Sequence, residues 1–66
     1  MKTLLKSYNF ESPNQYFDMV IESRINGNYS QAKEQFKAMP KPFQKQLVEE
    51  LSQEDHEEFM YFFRLL

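Results

Sequence analysis

One stretch decides the fold of this 66-residue chain: GNYSQAKEQFKAMP, which runs from Gly27 to Pro40. Its apolar residues recur at intervals of three and four, as one stripe of an α-helix requires. They are Tyr29, Ala32, Phe36 and Met39. Gly27 is the only glycine and directly follows another apolar pattern, so it suits the left-handed residue that ends a helix. The stretch predicts a helix that stops near Asn26, a turn, and a second helix that runs back against the first.

The first of these two helices is predicted over residues 13–26. Ser12, Pro13 and Gln15 mark its start, because serine and glutamine at this spacing cap each other's amides and proline fits the first helical position. The predicted inner stripe consists of Phe17, Val20, Ile21 and Ile25, with Tyr16 and Met19 beside it and Asp18, Glu22 and Arg24 facing out.

The prolines and a polar gap divide the second half of the chain. The second helix is predicted over residues 29–38, because Pro40 and Pro42 each push the preceding residue out of the helical region. A third helix from Pro42 is expected to bury Phe43, Leu47, Val48 and Leu51. Ser52 is then the predicted cap of a last helix, whose inner stripe is Phe59, Phe62, Phe63 and Leu66. One unbroken helix over 42–66 stays open, since no glycine or proline intervenes.

These elements predict an all-α fold: a small antiparallel bundle of three to four short helices in a single helical domain over residues 1–66. Residues 1–11 are expected to form a short helix or an ordered arm laid on the core. No apolar run is long enough for a signal peptide or a membrane span, and the chain has no cysteine. We therefore expect a cytoplasmic protein without disulfides and without contact with a membrane.

The hairpin over residues 13–40 resembles a single tetratricopeptide repeat. The matching residues are Gly27, Tyr29, Ala32 and Phe36. Ala32 and Phe36 are the small and aromatic residues, four apart, that let two helices approach. Val20 stands where the repeat has glycine, and the closing Pro40 comes four residues early. The resemblance implies a helical hairpin and a bias towards binding peptides or proteins; a hairpin of another family, which packs in the same way, stays open.

The turn at Gly27 is also similar to that of a DNA-binding helix-turn-helix, with one residue too many. Its second helix would present Gln31, Lys33, Glu34, Gln35 and Lys37 to the groove. A basic strip falls at every fourth residue: Lys33, Lys37, Lys41 and Lys45. The net charge of −2 does not favour nucleic acid, since phosphate neutralisation dominates that affinity. A nucleic-acid-binding protein that uses helix 29–38 and its lysines is the alternative function. For the lysines themselves, a solvated face that answers the acidic end of the chain is the preferred explanation.

No set of residues indicates catalysis, a metal or a cofactor. His56 is the only histidine, and the acidic residues beside it in the sequence point around a helix instead of towards one centre. There is no cysteine, no glycine-rich phosphate loop and no recognisable catalytic triad. We expect no enzymatic activity, and we expect His56 to lie exposed at a helix start.

The carboxyl-terminal stretch FMYFFRLL, residues 59–66, is the main candidate for function. Seven of its eight residues are apolar, so they do not fit on one stripe of a surface helix. The hypothesised partner-binding residues are Met60, Tyr61, Phe62 and Leu65; the alternative is that all of them belong to the core. We predict a non-enzymatic protein-interaction module of the adaptor, accessory or inhibitor type, such as phages and mobile elements encode. It would bind a protein partner, or itself as a homo-oligomer, through apolar helix faces.

Overall fold

The computed structural model describes all 66 residues and contains five α-helices and no β-strand. The helices are α1 Lys2–Ser7, α2 Pro13–Ile25, α3 Tyr29–Ala38, α4 Lys41–Glu54 and α5 His56–Phe63. The predicted all-α fold is confirmed. Residues 1–11 begin with a short helix. The predicted break in the second half of the chain is confirmed, since α4 and α5 are separate helices and the alternative of one unbroken helix over 42–66 is wrong. None of the five helices combines the length and the apolar character that a membrane span requires.

Helices α1 and α2 end in the same backbone motif. A residue with positive φ follows the helix, and two backbone N–H groups there donate to carbonyl groups of its last turn. Gly27 has φ of +85° after α2, where Asn28 N–H donates to Ser23 O at 2.8 Å and Gly27 N–H donates to Arg24 O at 3.1 Å. Asn9, with φ of +59°, takes this position after α1. Asparagine tolerates left-handed backbone better than other non-glycine residues do. The sequence therefore indicated the turn at Gly27, whereas the one at Asn9 went unnoticed.

The predicted hairpin of α2 and α3 is confirmed, and it supplies much of the core. Tyr16 and Val20 of α2 and Phe36 of α3 are fully buried. The Tyr16 hydroxyl donates to the carbonyl O of Gln35 at 2.6 Å, which removes the cost of burying a phenol. Ser23 Oγ donates to Gln35 Oε1 at 2.9 Å. Gln35 itself is buried, so two hydrogen bonds reinforce the apolar contact between α2 and α3.

Two residues of α2 were placed on the wrong face. Ile25 is 64% exposed instead of buried, and Arg24 is largely buried instead of facing out. Tyr16, Val20 and Arg24 are spaced by four, so they lie on one helical face. Since Ile25 is the residue after Arg24, it points about 100° away from that face.

The turn between α3 and α4 is completed by a buried glutamine. Met39 and Pro40 are extended, with ψ of 147° and 149°, so α3 ends with carbonyl groups that lack helical partners. Gln44 Nε2 donates to Met39 O at 2.7 Å, and the Gln44 side chain is only 3% exposed. Tyr29, at the other end of α3, was predicted inside but is 54% exposed.

The break before α5 occurs at Asp55, so the prediction that Ser52 caps the last helix is wrong. Asp55 Oδ1 accepts a hydrogen bond from Glu58 N–H at 3.3 Å. Ser52 lies inside α4, where its Oγ donates to the Glu49 carbonyl at 2.6 Å. A serine hydroxyl that donates back to a carbonyl of its own helix is not free to accept the first amide of another helix.

Candidate protein-binding surface

An ion pair joins α5 to α2, a helix far from it in the sequence. Arg24 Nη1 of α2 lies 3.5 Å from Glu58 Oε2 of α5, and the two side chains are 21% and 7% exposed. The guanidinium carbon of Arg24 is also 5.4 Å from the ring centroid of Tyr29 and 4.9 Å from that of Tyr61. Both distances fall in the range of cation–π attraction. Arg24 therefore joins α2, α3 and α5 at one point.

The ion pair does not fully offset the cost of burying Glu58. Burial raises the pKa of the Glu58 carboxyl, Arg24 opposes that rise, and Asp55 and Glu57 add to it. Within the chain, Glu58 Oε1 and Arg24 Nε have no hydrogen-bond partner. Desolvation of a carboxylate exceeds what one ion pair with incomplete hydrogen bonding returns. The ion pair therefore adds little net stability to the folded chain.

With Glu58 inside, α5 is rotated relative to the predicted inner stripe. Phe62 is fully buried and its ring centroid lies 5.3 Å from that of Phe36. Tyr61 and Leu65 are half-buried beside it. The inward residues are Glu58, Tyr61, Phe62 and Leu65, and each comes one position before a residue of the predicted stripe. One position along an α-helix is a rotation of about 100°, so the helix is turned by that angle from the predicted orientation. Phe63 and Leu66 are therefore not core residues.

The rotation turns an apolar face of α5 to the solvent. The outer strip consists of Phe59, Met60 and Phe63 of α5, together with Leu66, which lies three residues beyond the end of the helix. Phe63 is 51%, Leu66 41% and Met60 36% exposed. Phe59 lies at the edge of the strip: it is half-buried, packs partly against the core, and contacts Phe63 with ring centroids 5.4 Å apart. A face of this composition next to a buried glutamate is unusual, since large apolar side chains in a small chain normally take the inside positions.

The structure separates the four residues proposed from the sequence to bind a partner. Met60 lies on the outer strip, Tyr61 and Leu65 lie half-buried on the inner side of α5, and Phe62 lies in the core. Placing Phe62 on a binding surface was wrong, because its ring is covered by the rest of the chain.

The sequence reasoning missed the other three residues of the outer strip, Phe59, Phe63 and Leu66. The signal that leads to them is an acidic residue, Glu58, one turn before Phe62 on the same face. The sequence alone does not predict that Glu58 is buried, because its partner Arg24 lies on α2, in the other half of the sequence.

The lysines do not form one helical face. Lys33, Lys37, Lys41 and Lys45 are all exposed, but the first two belong to α3 and the last two to α4, with an extended turn between them. Lys37 Nζ donates to the carbonyl O of Leu65.

The proposed DNA-reading face of α3 also differs from the expectation. Gln35 was to face the groove, and instead its side chain is buried against Ser23. An amide engaged in the core does not contact a base edge, so this placement of Gln35 is wrong. Nucleic-acid binding stays a prediction of the sequence, and the structure adds nothing in its favour.

His56 begins α5 and is exposed, as expected. Its ring centroid lies 6.1 Å from that of Phe59. Nowhere in the chain do three histidine or carboxylate side chains lie close enough together to hold a metal ion.

Comparison with known proteins gives no match: no family model, no curated protein and no solved structure is similar to this chain. The resemblance of residues 13–40 to a tetratricopeptide repeat therefore stays a prediction.

Proposed function

We propose that this protein is a non-enzymatic helical binding module, and that a protein partner docks on the outer strip of α5. The observation that carries the proposal is the arrangement of α5, which keeps Glu58 inside and turns Phe63 out. An amphipathic helix that only served the core would do the reverse. A contiguous apolar strip on the surface is typical of a site that another molecule covers.

The composition of the outer strip suits this role. Aromatic residues and methionine are enriched at protein interfaces, and the flexible thioether of Met60 adapts to the shape of a partner. Arg64 lies exposed beside the strip, and arginine is also typical of interfaces. The absence of cysteine is consistent with a partner in the cytoplasm.

A matched pair of variants tests the proposal. Phe63→Lys places a charge on the outer strip, and Ile25→Lys makes the same kind of change at a residue of α2 that is at least as exposed. Each purified variant is first compared with the parent by circular dichroism, and then used at low concentration to capture proteins from an extract of the native host. Mass spectrometry identifies what each one retains.

We expect Ile25→Lys to retain the same partner as the parent and Phe63→Lys to lose it, with the helical signal of both unchanged. If Phe63→Lys retains the partner, or if both variants lose it equally, the outer strip is not the docking site and the proposal fails.

A further inference from the structure

We infer that the occupant of the outer strip is a second copy of this chain, packed so that the two α5 helices run antiparallel about a two-fold axis. This inference rests on the proposed function, because it uses the same strip. It adds the identity of the partner and the direction in which that partner lies.

The apolar residues of the strip suit a self-complementary contact. In a two-fold interface, residue i of one copy meets residue j of the other and the reverse also holds. An antiparallel pair of α5 helices centred near Tyr61 places Phe59 of each copy opposite Phe63 of the other. Met60 then lies close to the axis, where its flexible side chain fills the space between the four rings.

The charges beside the strip select the antiparallel direction. Glu57 and Arg64 are seven residues apart, which is two helical turns, so they lie on the same flank of α5. Both are exposed, and neither takes part in an ion pair within the chain, whose one ion pair is that of Arg24 with Glu58. In an antiparallel pair this flank meets the same flank of the copy with its ends exchanged. Glu57 of each copy therefore lies beside Arg64 of the other.

A parallel pair has no such complementarity. It would bring together the two acidic amino-terminal ends, each with Glu54, Asp55 and Glu57, and it would align the two helix dipoles, which is unfavourable at close approach. The like charges at that end would oppose association. Only the antiparallel direction satisfies both the apolar strip and the unpaired charges.

The size of α5 sets the expected strength. A helix of eight residues is about 12 Å long, so two such helices bury less surface than a permanent dimer does. The dimer should accordingly be weak, should form progressively with rising protein concentration, and should be favoured by low salt, because its charge pairs are exposed.

Charge-reversal variants test both the partner and the direction. The variants are Glu57→Arg, Arg64→Glu, the double variant with both changes, and Glu11→Arg as a control with the same charge change on an exposed residue before α2. Self-association is measured by sedimentation equilibrium at low salt over a wide concentration range, and circular dichroism checks the fold of each variant.

We expect Glu57→Arg and Arg64→Glu each to weaken the dimer about tenfold, because two pairs of opposite charges become two pairs of like charges. Mixing these two variants in equal amounts should restore association, and so should the double variant. Glu11→Arg should associate like the parent.

Three results would overturn the inference. A parent that stays monomeric up to about 1 mM, a concentration at which even weak complexes form, shows that the strip has another occupant, and the proposed function still stands if Phe63→Lys loses a captured partner. A dimer that Phe63→Lys leaves intact shows that the strip is not the interface. A dimer that Phe63→Lys breaks, but that the mixed charge variants do not restore, shows that the helices are not antiparallel.

Discussion

At the scale of single residues, one ion pair lies on the inner face of the last helix, where an apolar side chain is expected. Arg24 and Glu58 are spaced along α2 and α5 so that both turn inward. Tyr29 and Tyr61 lie within cation–π distance of the guanidinium. We expect the contact to contribute specificity of orientation, in the way that single buried polar residues fix the register of some helical assemblies.

Breaking this contact from one side should be far worse than removing it. Arg24→Met leaves Glu58 buried without its cation and should lower the free energy of unfolding by about 3 kcal/mol near neutral pH. The double variant Arg24→Met, Glu58→Met should return to within about 1 kcal/mol of the parent, since no charge then remains inside. Guanidinium denaturation measures all three proteins. A double variant as unstable as the single one would show that Arg24 acts through the tyrosines and not through Glu58.

The effect of Arg24→Met should also depend on pH. Because the pKa of Glu58 is raised in the folded chain, the folded state holds its proton more tightly than the unfolded chain does. This stabilising contribution is complete below the ordinary glutamate pKa and is lost as the pH rises through the raised value. The cost of Arg24→Met should therefore shrink in mildly acidic buffer. A cost that is constant or that grows as the pH falls would contradict a buried, proton-binding Glu58.

Tyr16 should make the fold sensitive to alkali. Burial, and secondarily the neighbouring Tyr8, raises the pKa of the Tyr16 phenol from 10.0 to about 12. Stability from the neutral phenol is complete below pH 10 and is lost as the pH rises towards 12. We expect a late component in an absorbance titration of tyrosinate that Tyr16→Phe abolishes. If the parent and Tyr16→Phe titrate alike apart from amplitude, Tyr16 is not shielded in this way.

Some residue positions were predictable from the sequence and others were not, for a physical reason. Phe36 and Val20 lie inside as predicted, because their burial follows from a local period of apolar residues. Arg24 and Gln35 were placed outside, because a polar residue is normally solvated. Their burial depends on a partner on another helix, Glu58 for Arg24 and Ser23 for Gln35. The local sequence pattern around a residue does not predict a contact with a distant helix.

At the scale of elements, helix ends follow the residues that cap them. α3 begins at Tyr29 and ends at Ala38 as predicted, since Gly27 and the prolines that follow α3 are strong local signals. The end of α4 was harder to place, because Ser52 and Asp55 are both good caps and the sequence offers them three residues apart. A side chain caps a helix start only where the backbone amides ahead of it lack helical partners. The hydrogen bonds of α4 continue as far as the Asp55 N–H, which donates to Leu51 O at 2.9 Å, so the new helix starts at Asp55 and not at Ser52.

Substitution of the two candidate caps distinguishes them. Asp55→Ala removes the acceptor of the Glu58 N–H and should lower the free energy of unfolding by about 1 kcal/mol. Ser52→Ala, at an exposed position within α4, should change it by less than about 0.5 kcal/mol. Thermal unfolding followed by circular dichroism gives both values. A larger loss for Ser52→Ala than for Asp55→Ala would place the helix start at Ser52.

At the scale of the whole molecule, the chain is compact but its core is small. The radius of gyration is 10.9 Å, and a compact domain of this length is expected to have about 10.8 Å. Only 13 of the 66 residues are buried, so each core side chain carries a large share of a small total stability. A residue that tolerates substitution by a charge must therefore lie outside that core.

The neighbouring residues Phe62 and Phe63 give the sharpest test of how α5 sits on the molecule. Phe62 is fully buried and Phe63 is 51% exposed, although their chemistry and position in the sequence are nearly the same. Phe62→Ala should therefore cost about 3–5 kcal/mol, which is enough to unfold a large fraction of so small a protein. Phe63→Ala should cost less than about 1 kcal/mol in the monomer, because its ring is already half in water.

Both variants are first measured by urea denaturation at low protein concentration, where association does not add to stability. The measurement is then repeated at higher protein concentrations. There the parent should become more stable if a second copy covers the outer strip, whereas Phe63→Ala should not. Equal losses for the two alanine variants would mean that both rings are core. In that case α5 has the orientation that the apolar pattern alone suggested, and the outer strip does not exist.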